Sequence, residues 1–395
     1  MGLGGVPASE RVHIGFFGKR NAGKSSLINA VTGQNLSIVS DTLGTTTDPV
    51  SKTMELLPLG PVVIIDTPGI DDVGELGAMR VQKAYEALNK CHIAVVVIDA
   101  EKGISEEDNQ LVLRIKDKGI PYIICYNKCD TADVQTTDRE VCVSALTGDG
   151  VTELKEKIAS LRNLKNEKYI IADKLDKGDV VVLVMPVDSG APKGRIILPQ
   201  QQTLREVLDA GGVCICVQPE ELPGALDILG VKPAVVITDS QVFDKVSQMV
   251  PEDVYLTSFS ILMLNYKGNL FSAVENAAVI SELKDGDRVL IAEGCTHHRQ
   301  CEDIGTVKIP ALIRITSGAD IVFDFMSGAD FPEDLSPYSL VIQCGGCMLN
   351  ENEIRYRTNK GKEQKVPVTN YGIALAYMNG ILERSVEFFV KGDLK

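Results

Sequence analysis

Residues 12–26, VHIGFFGKRNAGKSS, constrain this chain more than any other stretch. A β-favouring apolar run from Val12 to Phe17 enters Gly18-Lys19-Arg20-Asn21-Ala22-Gly23-Lys24-Ser25, and an amphipathic, helix-like segment over 26–31 follows. This is the G-x-x-x-x-G-K-[ST] pattern between a strand and a helix, the setting in which it acts as a phosphate-binding loop. The physics is anion capture. Glycines let the backbone curl so that N–H groups point inward, and the helix N-terminus adds partial positive charge. Gly18, Asn21, Ala22, Gly23, Lys24, Ser25 and Ser26 are therefore expected around the phosphates. Lys24 would reach the β- and γ-phosphates, and the Ser25 hydroxyl would ligate Mg²⁺.

The motifs that follow decide the nucleotide. Asp66-Thr67-Pro68-Gly69 comes directly after the apolar run 62–65. Its carboxylate can hold Mg²⁺ through water, and the Gly69 amide can sense the γ-phosphate. Upstream, Gly44-Thr45-Thr46-Thr47-Asp48 lies in a segment poor in apolar residues. One of its threonines, Thr45, Thr46 or Thr47, can complete the Mg²⁺ shell; the plainer alternative is a threonine-rich connection. Asn127-Lys128-Cys129-Asp130 follows the run 121–126. A carboxylate at Asp130 can accept two hydrogen bonds from guanine, whereas adenine presents the wrong pattern. Ser144-Ala145-Leu146 follows the run 141–143 and suits a backbone contact to the guanine oxygen. Each tetrapeptide alone is weak evidence. Their order, each after an apolar run, predicts a doubly wound α/β GTPase domain with its ligand beyond the carboxyl ends of the strands. Lys24, Ser25, Thr46 and Asp66 form the expected catalytic set, acting on GTP with Mg²⁺.

These motifs resemble the translation-factor-like GTPases, in the branch that includes Era and the tRNA-modification GTPase MnmE. Ile70 stands where Ras-like proteins carry a catalytic Gln, which implies that another group positions the water and that hydrolysis is slow and regulatory. Asn21 takes the loop position that helps bind a monovalent cation in the potassium-activated members. The resemblance thus implies K⁺ beside the phosphates; the alternative is that Asn21 stabilises the loop.

Length and charge set outer bounds. A chain of 395 residues has room for two to four domains. A formal charge of −14 repels nucleic-acid phosphates. No apolar run reaches the ~18 residues of a membrane span. The N-terminal residues lack the basic-then-apolar order of a secretory signal, and Val6 breaks the myristoylation pattern, so a cytoplasmic location is expected. In this context the ten cysteines are expected as reduced thiols or metal ligands rather than disulfides.

Residues 161–179 are charge-rich and read as a linker. Apolar runs at 180–186, 213–217 and 234–238 then alternate with helical patterns at 204–210 and 220–229, predicting a small parallel sheet of buried strands. Cys214 and Cys216, two apart on one strand, share a face and are expected as buried thiols. Asp188 follows the first of these strands. The strand-end rule puts it at a functional edge, and a turn-forming Asp is the alternative. A third α/β unit has strands at 288–292, 320–325 and 339–343. The first ends in Glu293-Gly294-Cys295-Thr296-His297-His298, the last in Cys344-Gly345-Gly346-Cys347. Cysteines at two strand ends can converge although distant in sequence. On chemistry alone three readings stand: a zinc site of Cys295, His297, Cys344 and Cys347, an iron–sulfur cluster, or two unrelated groups.

Taken together, a GTPase domain opening ERVHIGFFGKRNAGKSS, a second α/β unit, then C-x-H and C-x-x-C resemble the HydF family of [FeFe]-hydrogenase maturation GTPases over essentially the whole chain. The resemblance implies a [4Fe–4S] cluster on Cys295, Cys344 and Cys347 with a fourth, exchangeable position. It also implies a homodimer made by the middle domain, and a scaffold that delivers a two-iron precursor to apo-[FeFe]-hydrogenase alongside radical-SAM maturases. Many members carry His before the C-x-x-C; this chain has Gln343. The implied fourth ligand is then a carboxylate from the middle domain, Asp188, with His297 the alternative and Cys301 a bystander. The expected fold class is α/β in three domains: GTPase 1–165, dimerisation 166–265 and cluster-binding 266–395. Two rivals differ in class. An Era-like RNA-associated GTPase with a structural zinc or iron–sulfur site is opposed by the acidic balance. A redox enzyme lacks any flavin or nicotinamide fingerprint.

Overall fold

The computed structural model describes residues 7–33, 49–57, 59–72, 74–132, 134–161, 168–187, 196–294, 303–328 and 331–391. Two units divide the chain, at residues 167 and 168. The first holds one sheet of β1 (Val12–Phe17), β2 (Val50–Leu56), β3 (Gly60–Asp66), β4 (Ile93–Asp99), β5 (Tyr122–Asn127) and β6 (Glu140–Val143). Their order is β2-β3-β1-β4-β5-β6, with β2 antiparallel to β3 and the other pairs parallel. β4 is buried at every residue, as a central strand covered on both faces must be. Val95 and Val97 face one core with Leu27 and Ile28 of α1 (Lys24–Thr32); Ala94, Val96 and Ile98 face the other with Leu88 of α2 (Glu75–Leu88). β1 lies between β3 and β4, so successive connections leave it toward opposite sides. The phosphate loop follows β1 at this reversal, where doubly wound sheets hold their ligands.

The second unit contains two parallel sheets. One joins β7 (Val180–Val184), β8 (Val213–Val217), β9 (Val235–Thr238) and β10 (Tyr255–Ser258) in the order β10-β9-β7-β8. The other joins β11 (Arg288–Glu293), β12 (Val322–Ser327), β13 (Leu340–Gln343) and β14 (Val368–Asn370) in the order β12-β11-β13-β14. The helix Tyr371–Met378 follows β14, yet its Ile373 and Ala376 enter the core of the first of these sheets. Phe388 and Phe389, in the helix Leu382–Lys391, join the same core. Phe388 meets Tyr255 edge-on at 5.7 Å, and Arg384 donates to the carbonyls of Ser247, Val250 and Pro251.

Three expectations need correction. Residues 161–179 are not all linker: Ile170 and Ile171 are buried in the second unit, and the Ile171 and Ala172 amides donate to Glu206. An apolar pair inside a charged run anchors the chain there. β8 is not buried. It is an edge strand with Val213 49% exposed, because only β7 flanks it. Cys216 is accordingly exposed and Cys214 half-buried, although burial still pushes the Cys214 thiol up to about 12, with Cys216 adding to the effect. Finally, Cys129 and Cys142 form a disulfide. The Cys129 amide donates to the Val143 carbonyl at 3.0 Å, folding the turn after β5 back over β6. The two Cα atoms are thereby held 5.9 Å apart, a separation a disulfide spans. Among the described residues no helix is long and apolar enough to cross a membrane.

Candidate functional site

β1 and α1 hold the phosphate loop between them. Gly23 has φ +87°, and a β-carbon there would strike Asn127 Nδ2, so both conformation and space select glycine. Asn21 also adopts a left-handed conformation, which Asn tolerates, and is exposed. Lys24 is buried, its Nζ donating to the carbonyls of Gly18 at 2.8 Å and Lys19 at 2.7 Å. Burial pulls the ammonium down to about 8, against the opposing charges of Asp66, Asp71 and Asp72. Ser25 Oγ donates to Asp66 Oδ2 at 2.8 Å, so the hydroxyl and carboxylate proposed for Mg²⁺ meet across 41 residues of sequence. Thr67 Oγ1 donates to the Phe16 carbonyl at 2.6 Å, fixing the start of the following loop to β1. The Ile70 side chain is buried in the core and offers nothing to a water. Thr45, Thr46 and Thr47 lie outside the described residues.

Arg20, which no motif singles out, joins the phosphate loop to the segment after Asp66. Its amide donates to Asp71 Oδ1 at 2.7 Å and its guanidinium pairs with Asp72 at 2.8 Å. Arg80 meets Asp72 from α2 at 3.5 Å. The adjacent Asp71-Asp72 pair was visible in the sequence, but nothing in its spacing named Arg20 as the partner.

At the carboxyl end of β5, one buried side chain organises the candidate base site. Asn127 Nδ2 donates to the Ala22 carbonyl and its Oδ1 accepts from the Ala145 amide, each at 3.0 Å. The phosphate loop, the end of β5 and the segment after β6 are thus tied together. Of the segment 144–146, expected to offer a backbone contact to the guanine oxygen, the Ala145 amide is engaged by Asn127. Lys128 donates to Asp99 Oδ2 at 2.7 Å. Burial would raise the Asp99 carboxyl, but the Lys128 hydrogen bond and charge outweigh it and hold it below its usual range. Ser144 is buried, its Oγ accepting from the Thr147 amide at 3.1 Å, while Asp130 is exposed. Asp130→Asn is expected to lower the preference for GTP over ATP at least tenfold, on the order of 1.4 kcal/mol. Competition binding of the two nucleotides measures this, and an unchanged ratio removes Asp130 from base recognition.

In the second unit, Cys344 and Cys347 follow β13, next to the end of β11. The Cys344 amide donates to the Ala292 carbonyl at 2.9 Å. Cys344 Sγ accepts from the amides of Gly294 at 3.0 Å and Gly346 at 3.4 Å. Gly294, which precedes Cys295 in sequence, thus lies against the Cys344 sulfur. Gly346, at φ +64°, turns the chain toward Cys347 where a β-carbon would strike Ile354. Burial raises the Cys344 thiol, while the two amides and the Arg357 charge favour its thiolate. Arg357 is fully buried; its Nε lies 3.2 Å from Glu353 Oε1 and its Nη2 donates to the Gly328 carbonyl at 3.1 Å. Gln343 is buried, and its Oε1 has no hydrogen-bond partner among the described residues. Cys295, His297, Cys301 and Asp188 lie outside the described residues. Among those described, no three His, Cys, Asp or Glu side chains converge to hold a metal ion.

Comparison with known proteins divides the chain in the same sequence order. Residues 13–128 match a 50S ribosome-binding GTPase family, 170–268 the hydrogen maturase F dimerization domain, and 271–388 the hydrogen maturase F tetramerization domain. Among curated proteins, GTPase Der of Kosmotoga olearia is 30% identical over 188 residues, covering 42% of this chain and 40% of that protein. The tRNA modification GTPase MnmE of Clostridioides difficile is 33% identical over 169 residues, 39% of this chain and 36% of that one. MnmE of Aquifex aeolicus is 36% identical over 155 residues, 38% and 34% of the two chains. The chain thus spans 40% or less of the length of these relatives. An Aquifex aeolicus Era crystal structure with GDP·AlF4⁻ aligns at 20% identity and a TM-score of 0.36, over 55% of this chain and 98% of that one. The first unit is a GTPase domain of the P-loop α/β type. The two matches that fill most of the second unit are both hydrogen maturase F domains, and the chain belongs to the hydrogen maturase F family.

Proposed function

We propose that this chain is a GTP-hydrolysing scaffold that holds a [4Fe–4S] cluster and delivers a two-iron precursor to apo-[FeFe]-hydrogenase. The reading is carried by the succession, in one chain, of a GTPase match and two hydrogen maturase F matches. Three domains divide the work: 1–165 hydrolyses GTP, 166–265 makes the homodimer and 266–395 holds the cluster. Radical-SAM maturases supply the cargo, and the protein works in the cytoplasm.

Cys295, Cys344 and Cys347 would hold the cluster. In favour of this, the Cys344 sulfur accepts two backbone N–H bonds, one from the residue beside Cys295, and a buried arginine favours its thiolate. Such donors are what a thiolate ligand needs to keep its charge in a low-dielectric setting. When bound, the cluster supplies an iron with an exchangeable position. Asp188 is the candidate for that position and His297 the alternative; the harder carboxylate oxygen suits exchange better than sulfur. The chain should be tested as a carrier. Isolated anaerobically from cells that also make the maturases, then mixed with apo-hydrogenase, it is expected to give hydrogen evolution as its iron content falls. An iron-loaded chain that yields no hydrogen evolution overturns the reading.

Lys24, Ser25, Asp66 and a threonine of 45–47 serve GTP and Mg²⁺. Hydrolysis is slow because Ile70 is buried and positions no water. The segments at 45–47 and 69–72 respond to the γ-phosphate, and Arg20 links the second of these to the phosphate loop. Asn21 assists K⁺. Hydrolysis is therefore expected to run faster in KCl than in NaCl at matched ionic strength, which removes screening as the cause. Equal rates would leave Asn21 as a loop stabiliser.

A further inference from the structure

The Cys129–Cys142 disulfide joins two segments that the nucleotide reading places around the base. Cys129 is the third residue of Asn127-Lys128-Cys129-Asp130, and Cys142 lies on β6 two residues before Ser144. The bridge therefore ties the turn that carries Asp130 to the strand that delivers Ser144 and Ala145. Both cysteines are partly buried, packed against the core that holds Ile98 and Tyr126. Cys129 Sγ lies 3.3 Å from the Tyr126 carbonyl, a ready acceptor for its S–H once the bridge is open. The bridged form coexists with the full set of bonds from Asn127 to Ala22 and Ala145.

We propose that Cys129 and Cys142 form a reversible oxidation site that sets how firmly the base clamp holds guanine nucleotide. Its reactants are low-molecular-weight disulfides and thiols. One cysteine thiolate attacks the small disulfide, forming a mixed disulfide and releasing one thiol. The second cysteine thiolate attacks the mixed disulfide at the protein sulfur, closing the bridge and releasing the other thiol. Two electrons pass from the cysteines to the small disulfide, and the two cysteine protons end on the two product thiols. Excess dithiol runs the exchange backwards. The bridge removes the freedom of the turn relative to β6, so the bridged clamp is preorganised, whereas the open one must be ordered when nucleotide binds.

The inference rests on the assignment of residues 127–130 to guanine. The test uses the full chain treated with oxidised glutathione or with dithiothreitol, the bridge located by peptide mass mapping. Release of fluorescent mant-GDP is then timed by stopped flow. Release from the bridged protein is expected to be about threefold slower or more, with the difference erased by dithiothreitol. Cys129→Ser and Cys142→Ser should each release at one rate under both treatments. Equal release from bridged and open protein, failure of the pair to bridge, or a difference that survives in Cys142→Ser overturns the proposal alone. Failure of mant-GDP to bind in either state overturns it together with the guanine assignment.

Discussion

Lys24→Ala is expected to abolish GTP hydrolysis, a fall of about a thousandfold or more, since the role proposed for this ammonium is to hold the transferred phosphoryl group. Its surroundings make the loss severe. Lys24 is buried among Asp66, Asp71 and Asp72, so without it the loop presents net negative charge to an anionic ligand. The other cations of the loop are engaged elsewhere, the Lys19 ammonium by Glu107 and the Arg20 guanidinium by Asp72. Phosphate release by the variant measures the effect, and any iron content should be unchanged because the cysteines proposed for the cluster lie in the other unit.

The same lysine sets a pH dependence whose sign can be worked out. Its folded pKa, about 8, lies below the ordinary 10.5 because burial disfavours the charge. Between these values the unfolded chain binds more protons, so stability rises with pH there, and the penalty is fully present below about 8. Nucleotide phosphates reverse the balance by favouring the ammonium. Binding near pH 9 should therefore take up a proton, and affinity should weaken by up to about tenfold per pH unit above 8. Calorimetry in buffers of different ionisation enthalpy reads the uptake, which Lys24→Ala should lose.

Under the proposed cluster assignment, Cys344→Ala is expected to lower the iron of the reconstituted protein from about four per chain to less than one. The Cys344 sulfur is where the Gly294 and Gly346 amides point. Without it, two of the three proposed thiolates remain and those amides lose their acceptor. Cys347→Ala should behave alike, because the turn at Gly346 directs the chain to that sulfur, whereas Cys301→Ala should keep its cluster. Iron and sulfide counts with EPR after anaerobic reconstitution make the comparison. A Cys344→Ala protein with full iron would place the cluster elsewhere.

Much of the candidate nucleotide site is legible in sequence because its parts sit at strand ends. A parallel strand buried on both faces is an apolar run, and the residues after it occupy the functional edge. Asp66, Asn127 and Ser144 are all readable this way. What the sequence hides is partnership across space. Arg20 with Asp72, Lys128 with Asp99 and Asn127 with Ala22 and Ala145 depend on which loops the sheet order brings together. β8 fails for a related reason. VCICV is as apolar as a central strand, and its edge position depends on neighbours rather than on its own residues. Arg357 was equally hidden, since an arginine in a polar helix ordinarily signals a solvated face rather than a buried charge beneath a thiol.

The return of the helix Leu382–Lys391 to the core beside β10 also fixes an order of events during synthesis. The first unit has all its strands and helices once residue 160 is made, and can close while translation continues. The β7–β10 sheet cannot. Its strands are complete by residue 258, but Ile373, Ala376, Phe388 and Phe389, which seal its core, come more than a hundred residues later. Until then a nascent chain carries an apolar flank open to the solvent beside β10. A nonsense mutation between residues 168 and 382 should therefore send the second unit to the proteases while sparing a folded first unit.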